Sequence, residues 1–107
     1  MIMTSTDEIK GKRIIEVLGL VKGNTVRARH IGQDILATLK NIIGGEVHNY
    51  TKLIAESREQ AIDRMIAEAE ARGANAIVGV RLITASLMQG AAEILAFGTA
   101  VRIEDEK

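Results

Sequence analysis

No cysteine occurs among the 107 residues, which excludes disulfides, thiolate zinc sites and cysteine nucleophiles. Proline is absent too, so no proline-rich linker divides the chain, and no internal repeat or low-complexity tract interrupts it. Aromatic residues make up 2% of the chain, Tyr50 and Phe97 alone, too few for a nucleic-acid surface built on base stacking. Net charge is missing as well: 14 Lys and Arg balance 14 Asp and Glu, so no overall field draws the chain to phosphate backbones. No charge-free apolar run approaches the roughly 18 residues that a membrane span needs. The opening MIMTSTDEIKGKR has no apolar stretch resembling a signal peptide, so the expected compartment is the cytoplasm.

What the chain does contain is aliphatic. Hydrophobic residues account for 47%, and with so few aromatics the core has to be built from Ile, Leu, Val, Ala and Met. The length fits a single domain over residues 1–107 with one modest core, which association with further copies would enlarge. The polar ends, residues 4–13 and 104–107, are expected to be less ordered than the middle.

Hydrophobic periodicity gives an α+β class with the element order β-β-α-α-β-β, two β-hairpins flanking two helices. The run Ile14–Val21, the residues LysGlyAsnThr at 22–25 and the alternating run Val26–Ile31 read as a first hairpin, its turn at Gly23 and Asn24. Ile35, Leu36, Leu39, Ile42 and Ile43 line one face of a first helix that stops at Gly44 and Gly45. A second helix runs from about Tyr50 to Arg72, with Leu53, Ile54, Ala61, Ile62, Met65, Ile66 and Ala69 as its apolar stripe, Glu68 poised to pair with Arg72, and Gly73 as its cap. The strands 76–84 and 91–103, separated by Ser86–Gly90, form the final hairpin. Its last strand is apolar on both faces, so both faces are expected to be covered. The small residues Ala96, Gly98 and Ala100 point to close approach of another backbone, from a neighbouring subunit in preference to a helix of the same chain.

Chemistry is thin by comparison. His30 and His48 are the candidate metal ligands, far apart in sequence and on different elements, so a site would need copies gathered round a symmetry axis or carboxylates such as Glu46. The glycines at 73, 79, 90 and 98 do not make a GxGxxG pattern, and Gly73 ends a helix where a phosphate loop would open one. Thr4, Ser5 and Thr6 offer hydroxyls without a base beside them and read as a polar N-terminal strand. Lys10, Lys12, Arg13, Arg27 and Arg29 read as a solvated face, and Arg81 and Glu93 as a pair across the final hairpin.

The segments MTST near the start, IIEVLGLVKG, NIIGGEV, YTKLIAESREQA, GANAIVGVR and AEILAFGTAV together resemble the YbjQ family, small prokaryotic proteins labelled heavy-metal-binding, over nearly the whole chain. The resemblance implies an α/β subunit that assembles into a ring, a homopentamer with extra strand pairing between neighbours. It supplies no metal-ligand set that maps onto residues here and no catalytic residue. Phe97 stands where the family commonly has tyrosine, which removes a hydroxyl from any site built around it. The expected function is a non-enzymatic ring that holds a small ligand or metal ion between subunits, with no nucleic-acid or membrane partner. A scaffold that engages other proteins is the alternative, and an enzyme with a site shared between subunits is a third reading.

Overall fold

The computed structural model describes residues 1–28, 45–88 and 90–106, with the backbone alone described at residue 28 and residues 45–51. The elements are β1 (Ile2–Met3), β2 (Lys12–Ala28), α1 (Gly45–Ala71), β3 (Ala76–Met88) and β4 (Ala91–Asp105). Among the described residues the class is α+β, one helix on a four-stranded sheet of order β1-β3-β4-β2. β1 runs parallel to β3, and the other pairings are antiparallel. The expected first helix, residues 33–43, lies outside the described residues.

The expected first hairpin is not formed. Gly23 and Asn24 sit inside one strand of 17 residues, paired with β4 from Lys12↔Asp105 to Ala28↔Ala91. The reason lies in packing. A Cβ built on Gly23 would fall 2.2 Å from the Ala61 carbonyl oxygen and 2.5 Å from the Met65 amide nitrogen, so the helix backbone rests directly on the strand at that point. Gly23 is therefore present for its missing side chain, and a turn there would give up both the helix contact and the β4 ladder.

The other elements follow the periodicity more closely. Ala61, Met65 and Ala69 of α1 are fully buried against Val21, Ile77, Ile94, Ala96 and Ala100. This corrects the expected role of the small residues in β4. Ala96 and Ala100 lie beneath the chain's own helix, and a Cβ on Gly98 would press against Ile77 and Val80 of the adjacent strand. α1 ends in a Schellman motif: Ala74 N–H donates to the Ala69 carbonyl and Gly73 N–H to the Glu70 carbonyl, both at 3.0 Å, with Gly73 at φ +82°. The final hairpin forms as expected, but its strands continue through Met88 and resume at Ala91, so most of Ser86–Gly90 is strand.

Lengths decide what stays uncovered. At about 3.3 Å per residue β2 reaches roughly 56 Å, whereas the helix, at 1.5 Å per residue, reaches roughly 40 Å. α1 lies mainly over β2, less over β4 and barely over β3. It ends beside Leu18 and Leu20, so the beginning of β2 extends past it, with Val17 66% exposed. On the opposite sheet face Ile9 packs over Ala76, Val78, Val101 and Ile103. The N-terminal residues are tied down: Thr4 N–H donates to Ile77, while Gly79 and Val80 donate to Thr6 and Thr4. The result is elongated, 61 × 21 × 18 Å with a radius of gyration of 17.8 Å. A compact chain of this length would have a radius of about 13 Å.

Two glycines separate crowding from backbone conformation. Gly23→Ala is expected to cost about 3 kcal/mol because backbone atoms must move apart. Gly73→Ala should cost about 1 kcal/mol, from its positive φ alone, since nothing lies within 4 Å of its Cβ position. Urea unfolding at one protein concentration checks the order, and equal costs would contradict the packing account.

Candidate functional site

The candidates read from the sequence scatter. His30 and Arg29 lie outside the described residues, and of His48 and Glu46 only the backbone, in the first turns of α1, is described. Thr4 and Thr6 hydroxyls bond each other at 2.8 Å, and Thr6 Oγ1 also donates to the Glu8 carbonyl at 2.5 Å, which makes a local turn. Lys12 pairs with Asp105 and Arg13 with Glu104 across the β2–β4 ladder, while Arg27 donates to Gln60. These cations are therefore held by neighbours, including those bordering an open depression of about 580 Å³ between residues 8–14 and Glu106.

A heavy-metal centre does not fit one chain as described. The sequence has no thiolate, and among the described residues no three His, Asp or Glu side chains converge.

The expected Arg81–Glu93 pair is corrected. In the β3–β4 register Arg81 faces Phe97 and Glu93 faces Ala85, so the two residues stand four positions apart along β4. Arg81 Nη1 instead donates to the Ser5 carbonyl at 2.7 Å and the Val80 carbonyl at 2.9 Å, and Glu93 accepts from Asn24 Nδ2 at 3.3 Å.

The Glu68–Arg72 pair forms at 2.8 Å and does more than its spacing implied. Arg72 Nη1 also donates to the carbonyls of Leu18 (3.3 Å) and Leu20 (2.8 Å), Glu68 accepts the Lys22 N–H (3.3 Å), and Arg64 donates to the Asn24 carbonyl (2.5 Å). These backbone groups point away from β4. Side chains of the helix therefore occupy the outer edge of β2, where another strand would otherwise add. Arg72 reaches in at a bulge between Val17 and Gly19, with Gly19 at φ +100° and Arg72 Nη1 3.3 Å from where its Cβ would be.

The outer edge of β3 is arranged differently. β1 covers Ala76 and Ile77, and Thr4 and Thr6 reach Ile77, Gly79 and Val80. Beyond them no described residue pairs with Leu82–Met88 on the side away from β4. Leu82, Ile83, Leu87 and Met88 are exposed there, Met88 at 69%, and no charged residue occurs between Arg81 and Glu93.

On the sheet face away from α1 the register sets Lys22, Phe97 and Arg81 in one row, Phe97 half-buried between two exposed cations. Thr99 and Leu20 form the next row on one side, Leu95, Asn24 and Ile83 the next on the other. Sequence reading missed this row because it placed Lys22 in a turn; the alternation that puts Phe97 and Thr99 on one face was the available signal.

Charge pairing gives one titration to follow. The hydrogen bond from Lys12 and its positive charge hold the Asp105 carboxyl below its ordinary 3.8. A carboxyl lowered by folding contributes stability above its unfolded pKa and loses it as pH falls through the folded value. In Lys12→Gln the Asp105 midpoint should rise toward 3.8 in an NMR titration, and an unmoved midpoint would remove Lys12 as the cause.

Comparison with known proteins adds a family. A family model described as "Putative heavy-metal-binding" matches residues 1–104. A UPF0145 protein of Dehalococcoides mccartyi is 56% identical over 104 residues, covering 97% of this chain and 100% of the relative. A UPF0145 protein of Clostridioides difficile is 53% identical over 106 residues, covering 99% and 95%. The crystal structure of a DUF74-family protein of unknown function from Pediococcus pentosaceus superposes with a TM-score of 0.66 at 15% identity, over 97% of this chain and 98% of that one, a likeness of fold alone.

Proposed function

We propose, from the premise that this chain belongs to the YbjQ family, that it is a non-enzymatic subunit of a self-assembling cytoplasmic ring whose small ligand or metal ion binds where copies meet. The observation that carries this reading is the edge of β3. On the side away from β4, Leu82–Met88 has no partner strand among the described residues, and apolar side chains are exposed along it. Such an edge recruits strands unless it is blunted, and 82–92 contains neither charge nor proline. The one irregularity there, between Ser86 and Met88, falls near the strand's end and leaves Leu82–Ser86 in regular register. The elongated subunit and the exposed Ile14, Ile15 and Val17 of β2 support the same reading, since one copy leaves too much apolar surface in water. The ring number, five, comes from the family resemblance. A metal ion held by such an assembly would need ligands from more than one copy, because a single chain does not group them among its described residues.

A scaffold is the second reading, and one observation favours it. Glu56, Glu59, Asp63 and Glu70 are exposed at helical spacing along the outer face of α1, with the small Ala67 between the last two, an acidic stripe suited to a basic protein partner.

Native mass spectrometry of the untagged protein, before and after chelation, tests both. A multiple of 11.6 kDa is expected, falling by a discrete mass on chelation if a metal is the ligand. A ring that carries no mass beyond its subunits would move the reading to the scaffold, and a monomer would overturn both. Leu87→Lys combined with Met88→Lys should shift the mass toward 11.6 kDa by placing charges on the open edge. An intact ring in that variant would exclude this edge as the contact.

A further inference from the structure

We infer that the row Lys22–Phe97–Arg81 is a binding site for a small organic anion with a flat apolar body, such as an aromatic carboxylate. The inference supplies the ligand class left open above; it rests on the ligand half of that reading and not on the ring.

The first argument is charge. Three other cations of the sheet stand beside carboxylates, Lys12 with Asp105, Arg13 with Glu104 and Arg102 with Glu16, while Arg27 donates to Gln60. Lys22 and Arg81 share a row and have no ion pair among the described residues. Of the β4 carboxylates on the same face, Asp105 is paired with Lys12, and Glu93 lies four residues from Phe97, about 13 Å away. It already accepts a hydrogen bond from Asn24. Asp7, near Gly79, makes no ion pair with Arg81. An anion between Lys22 and Arg81 would meet two positive groups that no described carboxylate pairs with.

The second argument is positioning. Backbone carbonyls of Ser5 and Val80 hold Arg81 through Nη1, which fixes the guanidinium without neutralising it and leaves its other N–H donors available. The backbone N–H of Lys22 is fixed by Glu68 on the strand's outer edge, while its side chain lies on the open face. Strands are about 4.8 Å apart, so Lys22 and Arg81 are separated at their Cα atoms by about 10 Å, with the Phe97 ring between them. That spacing accommodates one aromatic ring.

The third argument is the floor. Phe97 and Leu95 are half-buried, and Leu20 and Ile83 are exposed beside them, so the cations border an apolar surface and not a polar one. Thr99, in the row next to Phe97, adds a hydroxyl. A few polar groups around an apolar floor is the composition of small-molecule sites. A flat body would cover Phe97 and the aliphatic neighbours, its carboxylate meeting Lys22 and the Arg81 guanidinium bordering the other side of the ring, and bare inorganic anions would gain nothing from the floor.

The probe is 4-fluorobenzoate, followed by fluorine NMR on the full-length protein, with inorganic phosphate as the competitor lacking a flat body. Binding is expected, weakened by added salt. Lys22→Gln should weaken it about tenfold, the loss of one charge-assisted contact. Arg81→Lys, which keeps the charge, should retain more affinity than Arg81→Gln. Phe97→Leu should weaken 4-fluorobenzoate and leave phosphate unchanged. Absence of binding, or equal affinity in Lys22→Gln, would overturn the site; phosphate binding as tightly as 4-fluorobenzoate would overturn the flat ligand. Native mass measured on the same samples separates the two failures. A ring that binds no probe refutes the site alone, and a monomer that binds it refutes the ring alone.

Discussion

The contact between α1 and β2 at Gly23 sets the rest of the arrangement. Because the helix backbone rests on the strand there, at Ala61 and Met65, the helix lies against β2, at the sheet's edge. From that position Arg64, Glu68 and Arg72 reach the outward-facing backbone of Leu18–Asn24. The same displacement takes the helix away from β3, whose outer edge beyond Val80 no described residue covers. One missing side chain thus closes one sheet edge and leaves the other open.

That asymmetry matters for assembly. A sheet with two available edges can add strands at both sides and propagate; a sheet with one blunted edge is limited in what it can join. Here the blunting uses side chains of the helix and not a bulky loop, so it costs no extra length. It also involves mostly exposed hydrogen bonds and an exposed ion pair, each of modest strength, and its effect comes from occupying donors and acceptors more than from stabilising the fold.

Much of the second half of the chain was legible in the sequence. The stripe through Ala61, Met65 and Ala69, the glycine cap at Gly73 and the alternation of Ile94–Val101 each obey a local rule that tertiary packing then respects. Gly23–Asn24 was misread because a glycine needed for positive φ and one needed for close approach look identical in a sequence. Ala96 and Ala100 were assigned to a neighbouring subunit on the same ambiguity, since small residues announce a close backbone without saying whose. The Lys22–Phe97–Arg81 row was invisible for a different reason. Its members come from three strands, and only the register, including the bulge between Val78 and Arg81, brings them level. The expected Arg81–Glu93 pair failed on the same ground, since sharing a hairpin does not fix which residues stand opposite.

The long β2–β4 ladder also has a consequence for how the protein comes into being. Lys12 pairs with Asp105 and Ala28 with Ala91, so the second strand to leave the ribosome finds its partner only when the last strand has been made. Until then the aliphatic run Ile14–Val21 has no ladder, and α1 has no completed surface to rest on. Folding is thereby tied to the synthesis of β4, and a product truncated before it cannot build the sheet's centre. β4 thereby acts as a checkpoint in synthesis: the long strand made early stays without its ladder until β4 exists.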